Sequence, residues 1–269
     1  MTAHRPTSYL FVPATRPERI AKAFASGAGA VILDLEDAVA AADKDSARET
    51  LRSSLQPERR VIVRINGAGS EWFERDLALC RHAGVAAVML PKAESSVDLR
   101  TVHEHCDRPV LALIETARGV WNALEVASTP GVQRLAFGAL DFRLDLGLPD
   151  AGYAQLAPYR ARLVLASRVA NLAPPIDSPT PGFDDLEHVR AESIAARQLG
   201  FGGKLCIHPR QVGAVNAAFQ PTPAEVQWAQ KVLAAFEASN GAATAVDGKM
   251  IDKPVVERAR RIAAEAPAP

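Results

Sequence analysis

The sequence predicts an α/β protein, a (β/α)8 TIM barrel followed by a C-terminal helical and hairpin appendage. Three observations carry that expectation. Short apolar runs recur along the chain, with helix-period stretches between them. Eight such strand–helix units fit within residues 1–220, the count of a barrel that is typically about 250 residues long. The first run ends in Phe11-Val-Pro-Ala-Thr-Arg16, without the glycine-rich phosphate loop that opens a doubly wound sheet.

The runs are Ser8–Val12, Ala30–Leu35, Arg60–Ile65, Ala86–Leu90, Pro109–Ile114, Arg134–Gly138, Pro174–Asp177 and Gly203–Ile207. Most are continuously apolar, as parallel strands covered on both faces are. Thr15-Arg-Pro-Glu18 opens the first helix with a cap and an early proline, and Ile20 and Phe24 share a face. Asp43 heads the second, striped by Ala47, Leu51 and Leu55. Ser70 precedes the third, with Phe73, Leu77 and Cys80. Ser95-Ser-Val-Asp98 has a capping-box pattern ahead of Leu99, Val102 and Cys106. Val120, Leu124 and Ala127 stripe the fifth helix, and Leu163, Ala166 and Ala170 the sixth. Leu186, Val189, Ser193 and Ala196 stripe the seventh, closed by Gly200. Val212, Val215 and Phe219 form the eighth.

The alternation breaks at Gln220. A helix over 224–239, a turn at Asn240-Gly241, a short strand over 243–246, a hairpin turn at Asp247-Gly248 and a last helix opened by Pro254 follow. The expected division is a barrel domain over 1–220 and an appendage over 221–269.

Composition narrows the function. Lys+Arg and Asp+Glu are 31 each, so a formal net charge of zero excludes a general nucleic-acid binder. Hydrophobic residues at 48% fit a globular chain. Cys80, Cys106 and Cys206 lack CxxC spacing, which speaks against a disulfide framework or zinc site and for a reducing cytoplasm. No secretory leader and no membrane span are expected, since no apolar run approaches about 18 residues.

The chemistry of a barrel lies at the C-terminal ends of its strands. Here those ends deliver Pro13 and Arg16, then Asp34, Glu36 and Asp37, then Arg64 and Asn66, Lys92, Glu115, Asp141, Asp177 and His208. Glu115 and Asp141 follow adjacent strands. Side by side they repel unless a cation lies between them, and a hard divalent ion such as Mg²⁺ suits two carboxylates plus water and substrate oxygens. Two rim carboxylates in salt bridges are the plainer alternative. Arg64 is either an ion-pair partner of Asp34, Glu36 and Asp37, or an anion binder, or both. Lys92 raises a Schiff-base aldolase as a rival, which requires a desolvated lysine. His208 is a base or a helix cap. Asp177 closes a metal's outer shell or caps a loop.

Seven segments then carry a family likeness. Phe11–Arg19, Leu33-Asp-Leu-Glu-Asp-Ala-Val39, Val63-Arg-Ile-Asn66, Met89-Leu-Pro-Lys-Ala-Glu94, Leu113-Ile-Glu-Thr-Ala117, Phe137-Gly-Ala-Leu-Asp141 and Cys206-Ile-His-Pro209 occur in this order. Together they resemble the citrate lyase beta subunit-like proteins, relatives of malyl-CoA and citramalyl-CoA lyases in the 2-oxo-acid aldolase superfamily. The resemblance implies a barrel assembled as a trimer or a multiple of it, and a Mg²⁺-dependent retro-Claisen or aldol-type cleavage of a coenzyme A thioester to an acyl-CoA and a 2-oxo acid.

The same resemblance makes Glu115 and Asp141 the metal ligands and Arg64 the residue that meets the thioester enolate. Asp34, Glu36 and Asp37 become the acidic strand end that orders water and the arginine. Arg16 and Lys44 fall near the CoA phosphates. Asp252, in Met250-Ile-Asp-Lys-Pro254, becomes an acid/base that enters a neighbouring subunit's site; without the resemblance it reads as the cap of the last helix. Phe142-Arg-Leu-Asp145 and Pro179-Thr-Pro181 depart from the family pattern where the acceptor half of the substrate belongs. A thioester hydrolase on the same site, and a subunit of a citrate lyase complex that holds an acyl-carrier protein, are the alternatives.

Overall fold

The computed structural model describes residues 5–239 and 244–266. Eight parallel strands close into a barrel in sequence order, with β1 pairing both β2 and β8. They are β1 (Ser8–Pro13), β2 (Ala30–Asp34), β3 (Val61–Arg64), β4 (Val85–Leu90), β5 (Val110–Ile114), β6 (Val132–Phe137), β7 (Ile176–Asp177) and β8 (Gly203–Cys206). The chain forms the expected (β/α)8 architecture.

The helices between them are α1 (Ile20–Ala25), α2 (Lys44–Ser54), α3 (Phe73–Cys80), α4 (Ser96–Cys106), α5 (Ala117–Trp121), α6 (Ala123–Ala127), α7 (Ala139–Asp145), α8 (Ala157–Val169), α9 (Leu186–Leu199) and α10 (Pro209–Phe219). The fifth helix is in fact two. Asn122 leaves helical geometry and donates its side-chain amide to Glu94 O at 2.9 Å. This turns Val120, Ala123, Val126 and Ala127 inward and leaves Leu124 exposed, so the expected stripe is replaced. The capping box at Ser95 does not form either, because the Ser95 hydroxyl donates to the Asp98 carboxylate instead.

Side chains alternate across the barrel wall with period two. Tyr9, Ile32, Ile62, Met89, Leu113, Ala136, Ile176 and Leu205 pack together as the interior core. Two residues further along β2, β3 and β5 the same inward face carries Asp34, Arg64 and Glu115. The apolar plug therefore ends where the charged mouth begins.

The opposite face of β7 and β8 hides a second ionic cluster. Asp177 accepts from Arg160 of α8 at 2.8 Å and from Lys204 at 3.2 Å. Lys204 also lies 3.5 Å from Glu192 of α9, which accepts from Thr180. Asp177 thus neither faces a metal nor simply caps a loop. It is fully buried, and it locks two helices onto the barrel.

The chain forms two compact units, over 1–216 and 217–269, with the boundary within α10. The second unit holds α11 (Pro223–Ala238), β9 (Thr244–Val246), β10 (Lys249–Ile251) and α12 (Lys253–Glu265). A capping box does form here, between Thr222 and Glu225. Val232, Ile251, Val256 and Ile262 make this unit's own core. The turn expected at Asn240-Gly241 and the start of the strand at residue 243 lie outside the described residues. No helix among the described residues is long and apolar enough to cross a membrane.

Breaking a buried ion pair from one side strands the other charge. Asp177→Ala is therefore expected to lower unfolding stability by about 3–5 kcal/mol in urea titrations. A loss under about 1 kcal/mol would show that the cluster does not hold the wall together.

Candidate active site at the barrel mouth

Arg64 closes β3 among carboxylates. Its Nε and Nη2 donate to the two oxygens of Asp34 at 2.7 and 2.6 Å, a two-bond fork. Its Nη1 lies 2.8 Å from Glu36 Oε2 and 3.4 Å from Asp37 Oδ2. The guanidinium also rests on the Phe11 ring, 4.8 Å from its centroid. Burial works against this charge, but Asp34 and its acidic neighbours outweigh burial and raise the pKa. The ion-pair role expected for Arg64 is present, with every named acid of the second strand end taking part.

Asp34 also shapes the loop that follows. It accepts the backbone N–H groups of Glu36 at 2.9 Å and Ala38 at 3.2 Å. Lys44 clamps the same loop from behind, donating its ammonium to the carbonyls of Leu35 and Glu36 at 2.7 Å each. It is buried, lies 5.3 Å from the Trp72 ring centroid, and has its pKa lowered by burial. Lys44 therefore holds backbone in place, where the sequence reading put it among phosphates. Arg16, in the loop after β1, is open to solvent, and among the described residues its side chain makes a 3.9 Å contact to Glu18.

Glu115 stands one position beyond β5 and is 2% exposed. One oxygen accepts the Lys92 N–H at 2.9 Å. Burial pushes its carboxyl up to about 8, with Glu36 and then Asp141 adding negative charge nearby. Among the described residues no cationic side chain pairs with Glu115, and the Asp141 side chain makes no hydrogen bond or ion pair. Asp141 lies in the first turn of α7, after β6, the strand paired with β5 at Ile114↔Phe137. The expected adjacency of the two acids is present, and the salt-bridged alternative is not.

Gly138 makes room for this pair. A Cβ there would lie 2.6 Å from Glu115 Oε2 and 2.7 Å from its Cβ. Lys92 adopts φ +48°, a left-handed backbone that costs a residue with a side chain about 1 kcal/mol or more. Its ammonium reaches Glu36 Oε1 at 3.3 Å. Burial pulls the Lys92 pKa down, but Glu36 and Glu115 outweigh it and raise it. A Schiff-base nucleophile needs the reverse. The roles of Gly138 and of the Lys92 backbone were invisible as residue types; a glycine or a Pro-Lys pair directly after an apolar run is the signal they leave.

His208 accepts the Arg210 N–H on Nδ1 at 3.2 Å and stacks on Phe183. It is the helix cap of its two alternatives. Asp252 belongs to the second unit and accepts the Val255 N–H at 3.2 Å as the N-cap of α12.

Residues 7–209 match the family model described as HpcH/HpaI aldolase/citrate lyase. The chain belongs to that family. A citrate lyase subunit beta-like protein of Mycobacterium tuberculosis is 40% identical over 258 residues, covering 93% of this chain and 92% of the relative. A (3S)-malyl-CoA thioesterase of Cereibacter sphaeroides is 36% identical over 277 residues, covering 99% and 96%. The crystal structure of CitE from Mycobacterium tuberculosis, in complex with magnesium, acetoacetate and coenzyme A, superposes with a TM-score of 0.86. It is 38% identical, and 97% of each chain is covered.

The residues at the mouth fit a hard divalent ion. Glu115 is a buried carboxyl with no cation paired to it among the described residues, and Asp141 adds negative charge nearby. Among the described residues no group of three or more His, Cys, Asp or Glu side chains is placed to hold a metal ion together. Two carboxylates leave the remaining positions to water or substrate, the arrangement that Mg²⁺ favours.

Two outcomes follow. Gly138→Ala is expected to displace Glu115 and to weaken Mg²⁺ binding by about tenfold in calorimetric titration, in line with disturbed ligand support; unchanged affinity would contradict the crowding. Glu115 ordinarily titrates near 4.5 but near 8 in the metal-free fold. Its neutral form thus stabilises the fold below pH 4.5, and that contribution is lost as pH rises through about 8. Mg²⁺ must displace the proton, so binding near pH 7 is expected to release close to one proton, and far fewer well above about pH 8. Calorimetry in buffers of different ionisation heat reads the number directly. A release of zero at the lower pH removes Glu115 as a ligand.

Proposed function

We propose that this protein is a Mg²⁺-dependent carbon–carbon lyase. Its substrate is a 3-hydroxy-3-carboxyl acyl-CoA of the citramalyl-CoA or malyl-CoA type, cleaved to an acyl-CoA and a 2-oxo acid. The observation that carries this reading is the unpaired acidic pair Glu115 and Asp141, on the strand ends that face Arg64 across one mouth. Bound by that pair, Mg²⁺ supplies Lewis-acid polarisation of the oxygen that becomes the 2-oxo group.

The chain's own residues account for the remaining charge. The substrate hydroxyl gives its proton to water as its carbon becomes the 2-oxo carbonyl, and cleavage of the bond between that carbon and its neighbour leaves the electron pair on the thioester side, as an enolate. Arg64 meets that developing charge. Asp34 grips it by two bonds, while Asp37 holds it at the longest distance and is solvent-exposed, so Asp37 is the partner that a substrate oxygen displaces at least cost. Glu36, with its pKa raised by burial against the pull of Arg64, weakens Arg64 less than an always-ionised acid would. Asp252 of a neighbouring copy, as the neutral acid, returns a proton to the enolate carbon, which makes the working form a homo-oligomer. Arg16 takes a CoA phosphate.

The Cereibacter sphaeroides relative, a (3S)-malyl-CoA thioesterase, supports a second reading in which water attacks the thioester carbonyl and free CoA departs. A coupled assay separates the two. The lyase reading expects a 2-oxo acid in equal amount to acyl-CoA. Free thiol without a 2-oxo acid assigns the hydrolase. Glu115→Gln and Arg64→Lys are each expected to lower kcat by about a hundredfold or more, the scale of losing one charge-stabilising group. Full activity in Glu115→Gln would sink the metal role.

A further inference from the structure

We infer that Lys92 is a positioning residue whose backbone aims Glu115 and whose side chain holds Glu36, so that one strained residue sets the spacing of the two acids. Lysine at φ +48° is unfavourable where glycine would be free of strain. Strain of this kind persists only when its surroundings enforce it. The surroundings are explicit. Pro91 before it is buried, Ala93 after it donates its N–H to Leu113 O at 3.1 Å, and the Ala93 carbonyl presses on α5 so closely that a Cβ at Gly119 would lie 2.9 Å away.

This turn sends the two ends of Lys92 to different acids. The amide goes to Glu115 Oε1 at 2.9 Å, and the ammonium to Glu36 Oε1 at 3.3 Å. Glycine would serve the amide alone. The retained side chain therefore points to a task for the ammonium. Glu36 Oε2 lies 2.8 Å from Arg64 Nη1 yet is buried without a well-aligned hydrogen bond. Arg64 alone does not fix this carboxyl. Lys92 anchors its other oxygen, so that the carboxyl is held between Arg64 and Lys92 and away from Glu115.

The activity arm of the test rests on the lyase reading; the structural arm does not. Crystal structures of metal-free Lys92→Gly and Lys92→Val decide the backbone part. Glycine keeps the left-handed turn, and Glu115 is expected to stay in place. Valine, β-branched and disfavoured there, is expected to move the amide and shift the Glu115 carboxyl by about 1 Å or more. Should valine prevent folding, Lys92→Thr, also β-branched, carries the same expectation.

In Mg²⁺ calorimetry the glycine variant is expected to bind within about threefold of the parent, and the valine or threonine variant about tenfold more weakly than glycine. With acyl-CoA substrate, Lys92→Gly is expected to lower kcat about tenfold with KM little changed, and Lys92→Arg to restore most of it. A Glu115 carboxyl that stays fixed in every variant overturns the inference. So does a glycine variant in which Glu36 keeps its parent position. An inactive parent enzyme with the expected Glu115 shifts refutes the lyase reading and leaves the positioning role standing.

Discussion

The mouth of this barrel gathers more acids than cations, and most of the site's geometry answers that imbalance. Asp34, Glu36, Asp37, Glu115 and Asp141 converge there, against Arg64, Lys92 and the buried Lys44. Arg64 is committed to the second strand end. Glu115 is left with an amide and no paired counter-charge, and burial, with the acids nearby, pushes its carboxyl towards neutrality. The divalent ion proposed above would answer that imbalance at the acids left unpaired.

The fold makes this arrangement cheap to hold. Period-two alternation carries Ile32 to Asp34, Ile62 to Arg64 and Leu113 to Glu115, so an apolar plug supports each charged side chain from below. The loops are then fixed by backbone bonds to buried polar groups. Asp34 accepts two amides, Lys44 donates to two carbonyls, and Lys92 donates its amide to Glu115. On the far side of β7 and β8, Asp177, Arg160, Lys204 and Glu192 balance one another in charge. The two clusters differ in kind. One is neutral and locks helices to the wall, and the other is short of positive charge and faces the opening.

Much of the fold was legible because the evidence for it is periodic and local. Apolar runs of strand length, separated by stripes of helical spacing, specify the count and order of the units with little ambiguity. The misreadings fall where a single side-chain bond overrides propensity. Asn122 breaks a helix by reaching Glu94, and Ser95 abandons its backbone for Asp98. At the site, the cluster of Arg64 with Asp34, Glu36 and Asp37 was legible from strand-end placement. The partner of Lys44 was not, since a lysine seven residues beyond Asp37 reads the same in sequence whether it turns in to carbonyls or out to solvent.

The sequence by itself determined the barrel, the acids and bases that its strand ends present, and the family to which those segments point, because alternation along a strand is a one-dimensional property. Only the tertiary structure decided which charges find partners. Asp177 took two cations on the outer wall, Glu115 and Asp141 took none, and Lys92 was bent into a left-handed turn between two acids. Pairing and strain depend on distances between residues far apart in the chain, and those distances exist only once the barrel has closed.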